Sequence, residues 1–311
     1  MFRRPFLVVA IAAAVGAVAA VAQNDMSKVE IATSSVGPQL WMLKGAGGNI
    51  GVFAGGDGVV LIDDQFAPLS GKIKAAVAKI SDRPIRFVIN THWHGDHAGG
   101  NENFAAAGAT IVAQDNVRTR MSVAYSNPVF GWKADPSPPG ALPVLTFPDS
   151  CTFHLNGEDV VCFHVPNAHT DGDVVVWFPK EDILHAGDVV FTHQFPIIDV
   201  GTGGTLAGMI AAQERILQLI GPATKVISGH SPVATRAEVQ AAHDMLVQVR
   251  DRVTKELEKK ETLETITAEK PLADLEESWG KGYVKSDIML KTAVLDLGRN
   301  PEHAGNAAVS H

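Results

Sequence analysis

The chain has 311 residues, with 34 acidic against 26 basic side chains and a formal net charge of −8 at neutral pH. That length suggests one large domain or two small ones, and it suffices to bury a sizeable core. A surface so acidic repels polyanions, which speaks against nucleic acid as a partner.

Arg3 and Arg4 open the chain, followed by an Ala/Val-rich apolar run from Phe6 to about Val21 and the small-x-small tripeptide Ala20-Val21-Ala22. That is the pattern of a secretory signal. The run is short for a membrane span, which favours cleavage over an anchor. The reading is a signal over residues 1–22, a mature chain from near Gln23, a periplasmic or secreted location, and no stable membrane insertion afterwards. From Leu40 to Asp64 the chain reads as strands broken by glycine: "LWML", "GGNIGVFAGG" and "GVVLIDD". Ile73, Val77 and Ile80 recur at helical spacing, "IRFVIN" is a short buried strand, "ATIVA" another, and "NVRTRMSVA" a helix.

Tyr125 to Pro148 holds prolines 128, 136, 138, 139, 143 and 148 with Tyr125, Phe130 and Trp132 among them. It is expected to be a long loop, and such loops are commonly functional. Asn156-Gly157 then signals a two-residue hairpin turn. If it forms, Cys151 lands opposite Cys162, within bridging distance. An exported compartment permits a disulfide; two reduced, buried thiols are the alternative, and the balance favours the bridge. "DVVVWF", "DILHAGDVVF" and "KVIS" continue the strands, with an amphipathic helix marked by Leu206, Met209, Ile210, Leu217 and Ile220. Beyond Ala234 the pattern is mostly helical, with Val239, Ala242, Leu246, Val249 and Val253 at 3-4 spacing, expected to pack on the main body. Apolar strands and helices in two batches fit two sheets face to face with helices outside.

The stretch "THWHGDHAGGN", residues 91–101, follows the strand "IRFVIN". At a strand end, side chains two apart point the same way, so His92 and His94 can converge on one point. Asp96 and His97, where the chain turns towards a helix, can reach a second point beside it. Imidazole and carboxylate suit zinc and comparable divalent ions. One loop cannot complete such a site, so later strand ends should supply more ligands. His169 in "PNAHTDGD", Asp188 in "LHAGDVVF" and His230 in "VISGHSP" each stand in such a place. His154, His164, His243, His303 and His311 read as structural or solvated and His185 as core. His193 sits on a loop from which it could face the site.

The pattern H-x-H-x-D-H, followed by His, Asp and His, resembles the metallo-β-lactamase superfamily over about residues 38–240. The resemblance implies an α/β fold, an αββα sandwich, as a catalytic domain over residues 23–240, with a helical extension over 241–311. It implies that His92, His94 and His169 hold one metal, that Asp96, His97 and His230 hold a second, and that Asp188 bridges them. Two divalent ions, zinc first among them, keep a shared water deprotonated at neutral pH and aim it at a carbonyl. Asp96 is expected to orient that hydroxide. The expectation is an exported hydrolase of a small-molecule amide, lactam, ester or thioester, with β-lactamase activity possible but weak. A glyoxalase II-like thioester hydrolase and a non-hydrolytic di-iron redox protein are the alternatives. Keeping both His97 and Asp188 is similar to glyoxalase II, whereas "GHSPVAT" and "NAHT" depart from that enzyme's usual motifs. Substrate contacts are expected from Tyr125–Pro148 and from "FTHQFPIIDVGTGG".

Overall fold

The computed structural model describes residues 25–260 and 262–298. The expected signal segment, residues 1–22, and His303 and His311 lie outside them. Strands β1 (Ala32–Ser35), β2 (Leu40–Lys44), β3 (Ile50–Gly55), β4 (Gly58–Ile62), β5 (Ile85–Ile89) and β6 (Thr110–Gln114) come first. A small hairpin, β7 (Tyr125–Ser126) and β8 (Lys133–Ala134), precedes β9 (Leu145–Phe147). The second batch is β10 (Ser150–Leu155), β11 (Glu158–His164), β12 (Val174–Phe178), β13 (Ile183–Gly187) and β14 (Lys225–Ser228). Helices α1 (Ser70–Val77), α2 (Gly95–Ala98), α3 (Asn101–Ala105) and α4 (Asp115–Met121) belong to the first half. Helices α5 (Leu206–Leu219), α6 (Arg236–Glu258), α7 (Leu263–Glu269), α8 (Glu276–Trp279) and α9 (Ser286–Leu297) belong to the second. None of the described helices is long and apolar enough to cross a membrane.

The first sheet runs β1-β2-β3-β4-β5-β6-β9, and the second β10-β11-β12-β13-β14. Three apolar clusters define four layers. Phe53, Val60, Ile62 and Ile89 of the first sheet meet Val160, Val176, Phe178 and Ile227 of the second between the sheets. Val52, Leu61 and Val88 face outward onto Leu69, Ile73, Val77 and Phe104. Val175, Leu184 and Val226 face the other way, onto Met209, Ile216, Leu246 and Met289 of α5, α6 and α9. The whole of β4 is therefore buried, as its unbroken apolar run requires of a strand covered on both faces. This is the αββα arrangement expected from the strand and helix order.

Helix α6 runs from Arg236 to Glu258 across residue 240, and Val239, Ala242, Leu246, Val249 and Val253 are all buried beneath it. Thr235 starts it with a capping box closed by Glu238. Asn156 and Gly157 hold φ of +54° and +78°, the mirror-image turn that suits a twisted hairpin. Cys151 accordingly pairs with Cys162 across β10 and β11. The expected disulfide is absent, and both are free thiols. The two thiols sit side by side at the edge of the inter-sheet core, Cys162 buried and Cys151 half-buried.

Tyr125–Pro148 is not the structureless loop its prolines suggested. β7 and β8 form a hairpin in it, and β9 extends the first sheet beside β6 in parallel. Edge strands tolerate flanking prolines because one side of their ladder needs no donor. Strand β1, "ATSS", is exposed throughout and so carries no alternation to read.

Candidate metal centre

Strands β4, β5 and β6 are mutually parallel, as are β13 and β14, so their C-terminal ends collect at one rim between the sheets. Loops at such carboxyl ends are where ligands gather in α/β folds. Thr91–His97 leaves β5 there, His169 leaves β11, Asp188 leaves β13 and His230 leaves β14. The two sheets are tied together beneath them. The Val174 amide donates to the Thr91 carbonyl at 2.7 Å, and Asn49 Nδ2 donates to the Ser228 and Ser231 carbonyls at 2.8 Å each.

All the residues expected from the sequence converge. His92, His94 and His169 form one group, Asp96, His97 and His230 a second, and His92, His97 and Asp188 a third that joins them. Within each group the candidate ligand atoms lie within 4.8 Å of one another. Asp188 stands in the middle, with Oδ1 at 3.3 Å from His97 Nε2 and Oδ2 at 3.3 Å from His230 Nε2 and 3.7 Å from His169 Nε2. Asp96 Oδ2 lies 3.2 Å from His230 Nε2 and 3.6 Å from His97 Nε2.

The backs of these rings decide what their fronts can do. His169 Nδ1 lies 2.7 Å from the Ile197 carbonyl, which can only accept, so the proton sits on Nδ1 and Nε2 presents a lone pair. His94 Nε2 donates to Asp199 Oδ2 at 3.0 Å, leaving Nδ1 as the lone-pair atom. His97 Nδ1 donates to Asp63 Oδ2 at 2.8 Å, leaving Nε2. His92 Nδ1 meets Thr91 Oγ1 at 3.0 Å, and that hydroxyl donates in turn to Asp63 Oδ2 at 2.8 Å. Four imidazoles thus turn a ring nitrogen inward, as a lone pair on His92, His94 and His169 and beside the Asp188 carboxylate on His97. His169 Nε2 and His94 Nδ1 face each other at 2.9 Å, and His92 Nε2 is buried with no partner. A buried polar atom left unpaired costs about 1–3 kcal/mol, and lone pairs crowded together repel. A cation between them removes both penalties, so the donor set fits divalent metal ions.

The charge balance agrees. Burial pushes the His92 ring well below its usual range and takes His169 down to about 4, so both are neutral, as metal ligands must be. Burial also opposes charge on His97 and His230, but the Asp188 and Asp96 carboxylates outweigh it and hold both rings above their usual range, His230 at about 10. Asp188 resists its own burial because His230 and His97 stand beside it. Two carboxylates against two imidazoles call for positive charge at this point.

Two supporting aspartates had no metal motif to announce them. Asp63, in "GVVLIDD", takes the Thr91 amide at 2.7 Å as well as His97, with its own φ at +66°, a conformation uncommon outside glycine. Asp199 is fully buried and accepts from His94, from Tyr125 Oη at 2.6 Å and from Asn127 Nδ2 at 2.7 Å. Only the strand-end position of Asp63 was a signal; Asp199 stood in a segment singled out for another reason. "GAGGNIG" also gains a role, because a β-carbon on Gly48 would collide with the His97 ring, as one on Gly229 would with Asp188.

Of the other histidines, His185 is core, with Nε2 3.2 Å from the Asn49 carbonyl. His193 does not face the centre. Its exposed ring turns to Glu238 at the start of α6, 3.0 Å away.

Above the ligands opens a cavity of about 570 Å³. Trp93, Tyr125, Trp132, Phe191 and Phe195 line it, together with Tyr283 from the connection between α8 and α9. Trp132 stacks on Phe130 at 4.5 Å between centroids, and Tyr283 lies 5.9 Å from Trp132. The Tyr125–Pro148 segment therefore does reach the site, with Phe130 tacking it to the core and Trp132 facing the cavity. Tyr283 went unnoticed because it stands in no periodic pattern.

The family model described as the metallo-beta-lactamase superfamily matches residues 43–230. A hydroxyacylglutathione hydrolase of Methylococcus capsulatus is 34% identical over 149 residues, which cover 46% of this chain and 47% of that protein. A hydroxyacylglutathione hydrolase of Pelagibacter ubique is 25% identical over 177 residues, covering 55% and 63%. The matches thus span less than two thirds of the length of these curated relatives. The solved structure of a metallo-beta-lactamase from Pontibacter korlensis aligns with a TM-score of 0.58 over 70% of this chain and 99% of that one. At 20% identity this is a likeness of fold.

Proposed function

The chain belongs to the metallo-β-lactamase superfamily, and on that premise we propose that it is an exported hydrolase that uses two divalent metal ions, zinc first among them, to cleave an ester, thioester or amide bond, lactams included, of a small molecule. The observation that carries this reading is the set of inward-facing imidazole nitrogens around Asp188, four of them fixed from behind by a carboxylate, hydroxyl or carbonyl. His92, His94 and His169 would hold one ion, Asp96, His97 and His230 the other, and Asp188 both. Ions so placed supply an acidified water and a Lewis acid for the scissile carbonyl.

The chain's own residues do the rest. Asp63 and Asp199 keep His97 and His94 in the tautomers that ligation needs, a contribution typically worth 10- to 100-fold in metal affinity. Asp96, half-buried at the cavity floor, can accept a hydrogen bond from a water there and so orient it. The aromatic wall lowers the local dielectric beside the ligands, which strengthens charge interactions at the reacting centre.

A thioester substrate of the hydroxyacylglutathione type is the second reading, supported by the two curated relatives that carry that name. The test is metal analysis of the mature protein together with turnover of a chromogenic cephalosporin, S-lactoylglutathione and a p-nitrophenyl ester, with and without chelator. Two equivalents of zinc and chelator-sensitive turnover of one class are expected; a protein that binds no metal would overturn the proposal. Export is tested by the mass of the protein recovered from the periplasm or medium, which should begin near Gln23.

A further inference from the structure

Resting on the hydrolase reading above, we propose that the cleft selects an uncharged, apolar acyl or alkyl chain, packed against the adjoining rings of Trp132 and Tyr283, and disfavours substrates that carry an anionic group away from the scissile bond. The cavity is of the size that takes a small organic ligand. Its walls are Phe66, Trp93, Trp132, Phe191, Phe195 and Tyr283, with Ile197 and Val284 between them. Recognition of a carboxylate relies on charge-assisted donors, arginine above all. Among the described residues that line the cavity there is no arginine, and Lys133, exposed on β8, is the single lysine. Arg120, which is not among the lining residues, is paired bidentately with Asp171. A distal anion would lose its hydration there without gaining a partner.

The two rings come from segments far apart in sequence. Trp132 and Tyr283 lie 31° from coplanar, 5.9 Å between centroids, and Phe130 stacks behind Trp132. Tyr283 is 63% exposed, so its ring is open to a substrate as well as to its neighbour. The bridge between Phe195 and Val284 fixes the segment that carries it against the wall. The helical extension is thereby part of the specificity apparatus as well as a packing layer.

The experiment uses the zinc-loaded mature protein and two matched pairs. The first is p-nitrophenyl hexanoate against the mono-p-nitrophenyl ester of adipic acid, the same chain ending in a carboxylate. At least a tenfold advantage in kcat/KM for the neutral ester is expected, together with a rise of roughly threefold per methylene from acetate to hexanoate. Trp132→Ala and Tyr283→Ala should each cut the hexanoate-to-acetate ratio severalfold. The second pair, octan-2-one against 7-oxooctanoate, is read by direct binding through tryptophan fluorescence and needs no turnover. Tenfold tighter binding of the ketone, weakened in both variants, supports the proposal. Equal or tighter binding of the anion, or a chain-length slope untouched by both variants, overturns it. Chelator-insensitive or absent turnover of every ester, thioester and lactam would instead defeat the hydrolase reading, and the ketone pair would still decide the character of the cleft.

Discussion

The floor and the wall of the cleft are built by opposite means. On the floor, four of the inward-facing rings are pinned from behind: His92 by Thr91, His94 by Asp199, His97 by Asp63 and His169 by the Ile197 carbonyl. Most of these groups are buried at strand ends between two packed sheets. The wall is made of rings from a proline-rich hairpin and from the connection before the last helix, held by stacking and partly open to solvent. On the proposed reading, the chemistry that needs fixed atoms would fall to the packed layers, and selection among substrates to segments that can vary without disturbing them.

This contrast can be pressed with perturbations of decreasing size. Removing a floor ligand should matter most: His169→Ala, or zinc removal by chelator, is expected to reduce kcat/KM by at least about 10³, since metal ions supply several kcal/mol of transition-state stabilisation. Steady-state assays on zinc-titrated protein would show it. Taking away a support should cost less. Asp199→Asn leaves the His94 N–H without its carboxylate and is expected to weaken zinc binding by about 10- to 100-fold in a competition titration with a chromophoric chelator. An unchanged affinity would mean that Tyr125 and Asn127 hold the ring without it.

Gly48→Ala probes the closeness of the floor to the glycine-rich turn above it. The added methyl meets the His97 ring, and overpacking of this kind costs about 1–3 kcal/mol. For a chain of this size that is a fall in Tm of roughly 2–4 °C per kcal/mol, measurable by calorimetry. At the bottom of the scale, His193→Ala removes only an exposed pair with Glu238. Stability should stay within about 0.5 kcal/mol and turnover within about twofold. A large loss of activity would place His193 in the site after all.

The floor could be read from the sequence because ligation demands particular residue types at strand ends, and His92-x-His94-x-Asp96-His97 concentrates them in one loop. The partners that orient those ligands were harder to see. Asp63 and Asp199 are ordinary turn aspartates in one dimension and meet His97 and His94 only when both sheets close. The cysteine pair shows both sides of the matter. Turn chemistry at Asn156-Gly157 determined that Cys151 faces Cys162, but the expected bridge did not follow from proximity.

The sequence by itself determined the alternating strands and helices, the hairpin register, the candidate metal-ligand residues and the acidic balance, because each rests on local periodicity, turn geometry or side-chain chemistry. Tertiary structure alone decided that His193 turns outward, that the prolines of Tyr125–Pro148 border an edge strand, and that Tyr283 joins Trp132 across some 150 residues of chain. Those outcomes depend on which surfaces remain uncovered once the two sheets and the C-terminal helices have packed, and no local pattern in the chain encodes that.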